Sequence, residues 1–281
     1  MARTHTPSPT YAPSPTYAPS PIHAPSPTCT PNPTHTRRLT STLTPRLLAT
    51  TLTAAALATA LATTPATAAS SPKGHDVSSH QKSVNWSNAK AKGATFVYVK
   101  ATESTTYRNP YFSQQYDGAR KAGIIRGAYH FALPNKSSGT SQAGYFVAHG
   151  GGWKADGWTL PPALDIETNP YDKKHPCYSL SKTGMVNWIK AFSAEVNRRT
   201  GRRPVIYTTT QWWKTCTGNS GAFASTHPLW IARHGSATAG ALPAGWSYWT
   251  FWQYANSGSL PGDQNLFNGS MTQLRKFARG Y

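Results

Sequence analysis

Acidic side chains are scarce in this sequence: 9 Asp and Glu stand against 28 Lys and Arg in 281 residues, a formal net charge of +19. None occurs before Asp76. Few residues are therefore available for carboxyl chemistry, and where the nine fall is informative in itself. Cysteine is equally scarce. Cys29, Cys177 and Cys216 are too few and too dispersed for a zinc finger or a disulfide framework. No basic run is interleaved with aromatics and no helix-turn-helix signature occurs, so no nucleic acid partner is expected. Long apolar runs are missing as well. "LLATTLTAAALATALA" (Leu47 to Ala62) is short for a membrane span and diluted with Thr.

What is present divides the chain in two. From Pro7 to Thr28 a proline-rich unit repeats as "PSPTYA", "PSPTYA", "PSPIHA" and "PSPT", so residues 1–36 are expected to be an extended, disordered leader. Arg37 and Arg38, the apolar stretch and the small-residue site "ATA" at Ala66–Ala68 together read as a secretory signal region over 37–69. The signal begins far from Met1, which leaves two alternatives: an unusually long leader or a start downstream. The twin Arg37–Arg38 supports twin-arginine export only weakly. The expected destination is extracellular, with no membrane association once the signal is removed. Cys29 would leave with the leader, and the remaining Cys177 and Cys216 form an even pair bound for an oxidising compartment. A disulfide between them is expected; two free buried thiols are the alternative.

Residues 70–281 hold 24 basic residues against all nine acids, every Trp and nearly all other aromatics. About 210 residues can bury the core of one α/β barrel. The excess charge favours polyanions, either nucleic acid or the anionic polymers of a bacterial wall, or serves only to keep an exported protein soluble. Short apolar runs read as strands: "ATFVYVKAT", "IIRGAYHFAL", "LPPALDIE", "RPVIYTT", "PLWIARH" and "YWTFWQYA". Between the earlier ones lie helical stretches closed by Gly, "NWSNAKAKG", "YFSQQYDGARKAG" and "SLSKTGMVNWIKAFSAEVNRRTG". In the longest, Met185, Trp188, Ile189, Phe192 and Val196 make one apolar stripe suited to core packing. The helical pattern stops after "PVIYTT", and the later strands are expected to be joined by loops. The fold class that follows is α/β: an irregular TIM-like barrel of about five β/α units followed by three strands.

"LPPALDIETNP" places Asp165 and Glu167 two apart at the end of an apolar run. Residues i and i+2 of a strand share a face, so both carboxyls would point into the mouth of the barrel. Two neighbouring carboxylates in a partly buried site do not both ionise cheaply; one stays protonated and can act as a general acid, as glycosidic cleavage requires. The alternative, surface acids capping a following helix, is weakened because "TNPYDKKHP" is a loop. Asp76 in "KGHDVSSHQ" and Asp263 in "PGDQNLFNG" fall at comparable strand ends.

Taken in order, "GHDVSSHQ", "FVYVKATE", "GAYHF", "PPALDIE" and "DQNLFNG" resemble glycoside hydrolase family 25, the secreted N-acetylmuramidases (lysozymes). The resemblance runs from about Gly74 to Phe277. It implies an irregular barrel with a negatively charged groove and hydrolysis of the β-1,4 bond between N-acetylmuramic acid and N-acetylglucosamine in bacterial peptidoglycan. It also implies Glu167 as proton donor, Asp165 as its charge-stabilising or orienting partner, and Asp76 and Asp263 as supporting acids. Two routes stay open for the following step, an oxazolinium formed by the substrate's acetamido group or direct attack by water. The D-x-E arrangement, shared with substrate-assisted chitinases, favours the first. The chitinase family itself fits poorly, because "TLPPAL" stands where that family carries further Asp residues.

Tyr129 in "GAYHF" matches a substrate-contacting position of the family. Tyr207, Trp230 and Gln253 lie near strand ends and are further candidates for sugar binding, with core packing as the alternative for each. His75, Asp76 and His80 do not match a recognised ligand spacing, so no metal or cofactor is expected. Lys100 and Glu103 close the second strand and could form a salt bridge. A monomer is expected, with electrostatic attraction to anionic wall polymers. Two other classes remain open: a carbohydrate- or wall-binding barrel that has lost catalysis, and a basic protein binding nucleic acid or an anionic surface.

Overall fold

The computed structural model describes residues 71–281, so the expected leader (1–36) and signal region (37–69) lie outside the described residues. In the described part, β1 (Lys73–Val77) leads to α1 (Trp86–Ala91), and β2 (Phe96–Glu103) leads through the short β3 (Tyr107–Arg108) to α2 (Phe112–Lys121). Three further pairs follow: β4 (Ile125–Phe131) with α3 (Gly139–Ala148), β5 (Ala163–Asp165) with α4 (Lys182–Thr200), and β6 (Val205–Thr208) with α5 (Thr210–Thr217). The strands β7 (Leu229–Ala232), β8 (Phe251–Ala255) and β9 (Asp263–Phe267) then come without helices between them, and α6 (Met271–Arg279) is last.

The strands close into a ring. β1, β2, β4, β5, β6, β7 and β8 run parallel in that order, and β9 sits antiparallel between β8 and β1. This is the α/β barrel expected from the sequence. Its closing strand runs in the opposite direction to the rest.

Rings fill the interior. Phe96, Tyr98, Tyr129, Tyr207, Trp230 and Phe251 belong to one buried cluster, in which Tyr98 stacks on Trp230 with centroids 4.8 Å apart. Tyr98 lies opposite Gly127 in register, and a Cβ on Gly127 would come within 2.4 Å of the Tyr98 ring. Glycine there makes room for a tyrosine whose hydroxyl donates to the Pro161 carbonyl at 3.0 Å. Outside the ring, the stripe Met185, Trp188, Ile189, Phe192 and Val196 of α4 is buried, as its periodicity requires.

Two helices depart from the sequence pattern. A loop is expected after "PVIYTT", yet α5 follows at once. Its Thr- and Trp-rich sequence has weak intrinsic helix preference, and tertiary packing overrides it. Thr209 caps the amide of Trp212, Trp212 and Trp213 are buried, and Gly218 ends the helix in the left-handed region at φ 68°. α3 is likewise hidden in a Ser- and Gly-rich stretch. The Ser138 cap and the burial of Gln142 and Phe146 stabilise it.

Candidate active site

The carboxyl ends of the parallel strands surround a cavity of about 230 Å³. Asp76, Asp165, Glu167 and Asp263 all line it, together with Tyr129, Tyr207, Trp230 and Gln253. The eight residues singled out from the sequence, drawn from β1, β4, β5, β6, β7, β8 and β9, therefore meet at one place. β5 ends at Asp165, and the ladder continues through the Ile166 amide to the Tyr207 carbonyl at 3.0 Å. That continuation carries Glu167 to the same face as Asp165. Asp263 is the first residue of β9, and only because β9 is antiparallel does its beginning reach this rim, directly opposite Asp76. The turn before it needs Gly262, at φ +76°, because a Cβ there would stand 2.0 Å from the Asp76 carbonyl oxygen.

Four carboxyls facing one another, Asp165 buried and the other three half-buried, oppose ionisation. Burial, then the charge of Asp263, pushes Glu167 up to about 7, although His234 and Lys100 pull it back. Burial and Asp263 likewise push Asp76 up to about 7. Asp165 is raised well above the usual carboxylate range by burial and then by Glu167. Asp263 is raised by burial and lowered by His234.

Asp76 is held by an amide lattice that the sequence did not disclose. Its Oδ2 accepts from the side-chain amides of Gln253 at 2.9 Å and Asn265 at 2.8 Å. The orientation of each amide is fixed from behind. Gln253 Oε1 accepts from the Tyr207 hydroxyl at 2.9 Å and from His234 Nε2 at 2.7 Å, and Asn265 Oδ1 accepts from the Trp230 indole at 2.7 Å. Gln253 and Trp230 are each 2% exposed, so Trp230 forms the floor of the cavity and Gln253 is engaged by the protein. Asp165 is the contrast: its buried Oδ1 has no hydrogen-bond partner.

The rim is built on an irregularity. Residues three apart on a regular strand face opposite ways, yet Lys100 Nζ meets Glu103 Oε2 at 2.6 Å. A bulge between Lys100 and Thr102 takes up the odd residue and returns Glu103 to the mouth side. Glu103 Oε1 accepts from the hydroxyl of Tyr171 at 2.5 Å, tying β2 to the loop after β5. Tyr171 is 69% exposed. The same loop is fastened by the expected disulfide, Cys177–Cys216, which joins it to α5.

His75 and Asp76 are adjacent and face opposite sides of β1. His75 packs on Trp86 of α1 and donates from Nδ1 to the Pro261 carbonyl at 2.6 Å. Burial lowers it to about 4, so it is a neutral core histidine. Among the described residues, no group of three or more His, Cys, Asp or Glu is arranged to hold a metal ion.

Residues 75–263 match the family model of Glycosyl hydrolases family 25. An N,O-diacetylmuramidase of Chalaropsis sp is 48% identical over 74% of this chain and 99% of its own. Lysozyme M1 of Streptomyces globisporus is 50% identical over 73% of this chain and 71% of its own. Among solved structures, the muramidase from Acremonium alcalophilum superposes with a TM-score of 0.72 at 52% identity, covering 74% of this chain and 99% of that one. The lysozyme from Streptomyces coelicolor gives 0.72 at 49%, covering 75% and 98%. The family match spans more than half of the sequence and places both Asp76 and Glu167 within it, and relatives of about half identity align nearly end to end; this chain belongs to glycosyl hydrolases family 25.

Proposed function

We propose that this chain is a muramidase that hydrolyses the β-1,4 bond from N-acetylmuramic acid to N-acetylglucosamine in bacterial peptidoglycan. The observation that carries the reading is the buried, unpartnered Oδ1 of Asp165 beside Glu167, whose proton is retained up to about pH 7. That oxygen is free to accept a hydrogen bond from a substrate N–H. In this reading Glu167 gives its proton to the glycosidic oxygen as the bond to the anomeric carbon breaks. The carbonyl oxygen of the neighbouring acetamido group closes on that carbon, while Asp165 accepts the acetamido N–H. Water, deprotonated by the Glu167 carboxylate, then opens the oxazolinium and restores the acid. Asp76 and Asp263 complete the negative field that offsets the developing positive charge. Gln253, Asn265 and His234 act through Asp76, and Tyr129 and Tyr207 wall the sugar site.

The muramidase and lysozyme names of the relatives support this reading, and N,O-diacetylmuramidase adds O-acetylated muramic acid to the substrates worth testing. Mass spectrometry of products from purified peptidoglycan decides it. Fragments ending in reducing N-acetylmuramic acid are expected; reducing N-acetylglucosamine would overturn it. Residues 70–281 are read as the catalytic domain, exported by the segment before it, and the disulfide supports an oxidising destination. Exported protein whose first residue lies near Ser70 is the expected result of N-terminal sequencing.

A further inference from the structure

The end of the barrel opposite the mouth carries three adjoining depressions of about 500, 290 and 290 Å³. Thr226 lines all three; Arg202 and Pro228 join the first to the second, and Arg203 joins the second to the third. They form one groove across the amino-terminal ends of β6, β7 and β8 and the flank of α6. No Asp or Glu lines any part of it. Lys190, Arg203 and Lys276 do, all exposed and none in an ion pair among the described residues. Glu195 on α4 offers them no partner, because Arg198 and Arg199 already occupy its two oxygens. Clustered cations with no acidic side chain among them repel one another, and a bound polyanion relieves that repulsion. Four large apolar side chains are exposed among the described residues, and two of them, Tyr248 (66%) and Tyr281 (88%), stand on this groove beside the half-buried Trp249.

We propose that this groove is a second, non-catalytic binding site for a peptidoglycan glycan strand. The inference takes the identity of the polymer from the muramidase reading. Pyranose rings present apolar faces that stack on exposed aromatic rings such as Tyr248, and the lactyl-linked stem peptides carry carboxylates that complement the cations. A polyol-phosphate polymer offers the anions but no ring for the aromatics. A strand held on this face cannot enter the mouth on the other, so the enzyme remains attached to one strand while it cuts another.

The test is co-sedimentation of the full chain with insoluble peptidoglycan stripped of phosphate polymers, in a Glu167→Gln background so that the wall survives. Retention of Lys190→Gln/Arg203→Gln/Lys276→Gln is expected to fall about tenfold at low salt, and that of Tyr248→Ala several-fold. Cleavage of soluble glycan-peptide fragments of two or more disaccharide units by the same variants with Glu167 intact stays unchanged. Replacing the three cations by the alternative cation, Arg for Lys and Lys for Arg, retains binding and separates charge loss from misfolding. Equal retention of the neutral triple variant on stripped peptidoglycan overturns the proposal, as does a loss seen only on walls that keep their phosphate polymer. Failure of the unaltered chain to cleave soluble fragments counts against the muramidase reading instead, and retention still decides the groove.

Discussion

Glu167→Gln keeps the shape of the side chain and removes the proton that the proposed mechanism assigns to the leaving oxygen. Turnover of soluble fragments is expected to fall by at least about 10²–10⁴-fold with KM little changed. Asp165→Asn should be severe too, with Asp76→Asn and Asp263→Asn costing less; a larger loss at Asp263 would favour direct displacement. The same substitution has the opposite effect on stability. Glu167 is raised from 4.5 to about 7 on folding, so the folded state holds the proton more tightly than the unfolded state. Its contribution is neutral at low pH and grows unfavourable as pH rises from the unfolded value through the folded one. Glu167→Gln is therefore expected to raise the unfolding midpoint at pH 8, by up to roughly 3 kcal/mol in stability, and to change it little at pH 4. Calorimetry at the two pH values reads the difference. The acid pair was legible in the sequence because i and i+2 share a strand face. The lattice behind Asp76 was not, because Gln253 and Asn265 lie 177 and 189 residues away and an amide carries no local sign of its partner.

The loop after β5 and helix α5 behave as one piece because Cys177 is bonded to Cys216. A closure of 39 residues restricts the unfolded chain by about 4 kcal/mol in the chain-entropy estimate. Reduction is therefore expected to lower the unfolding midpoint by several degrees; an unchanged midpoint would show that the loop is held by other contacts. The pairing of the two cysteines could be read once Cys29 was assigned to the leader and the remainder to an oxidising compartment. α5 itself could not, since its helix depends on burying Trp212 and Trp213 against the core and not on intrinsic helix preference. The bulge in β2 was hidden too. Lys100 and Glu103 look mismatched at three residues apart until the extra residue is counted.

A field of one sign over a whole molecule reaches an oppositely charged surface before any contact forms. With 24 basic residues against nine acids in residues 70–281, hydrolysis of intact anionic walls is expected to slow as ionic strength rises from about 0.05 to 0.5 M, over which screening shortens severalfold. Rates on small soluble fragments under the same salt series should hold steady. Alternation of strands and helices made the barrel legible. The reversed direction of β9 was not, because an antiparallel strand has the same composition as a parallel one. That reversal bears on how the domain reaches its native state. β1 is bonded to β2 on one side and to β9 on the other, so the first strand of the domain waits for the last. A chain emerging from its amino end can pair β1 with β2 early, but both edges of the sheet stay open until Asp263–Phe267 arrives. Folding of the barrel is therefore completed only after nearly the whole domain has been released, an order that suits a polypeptide threaded unfolded across a membrane.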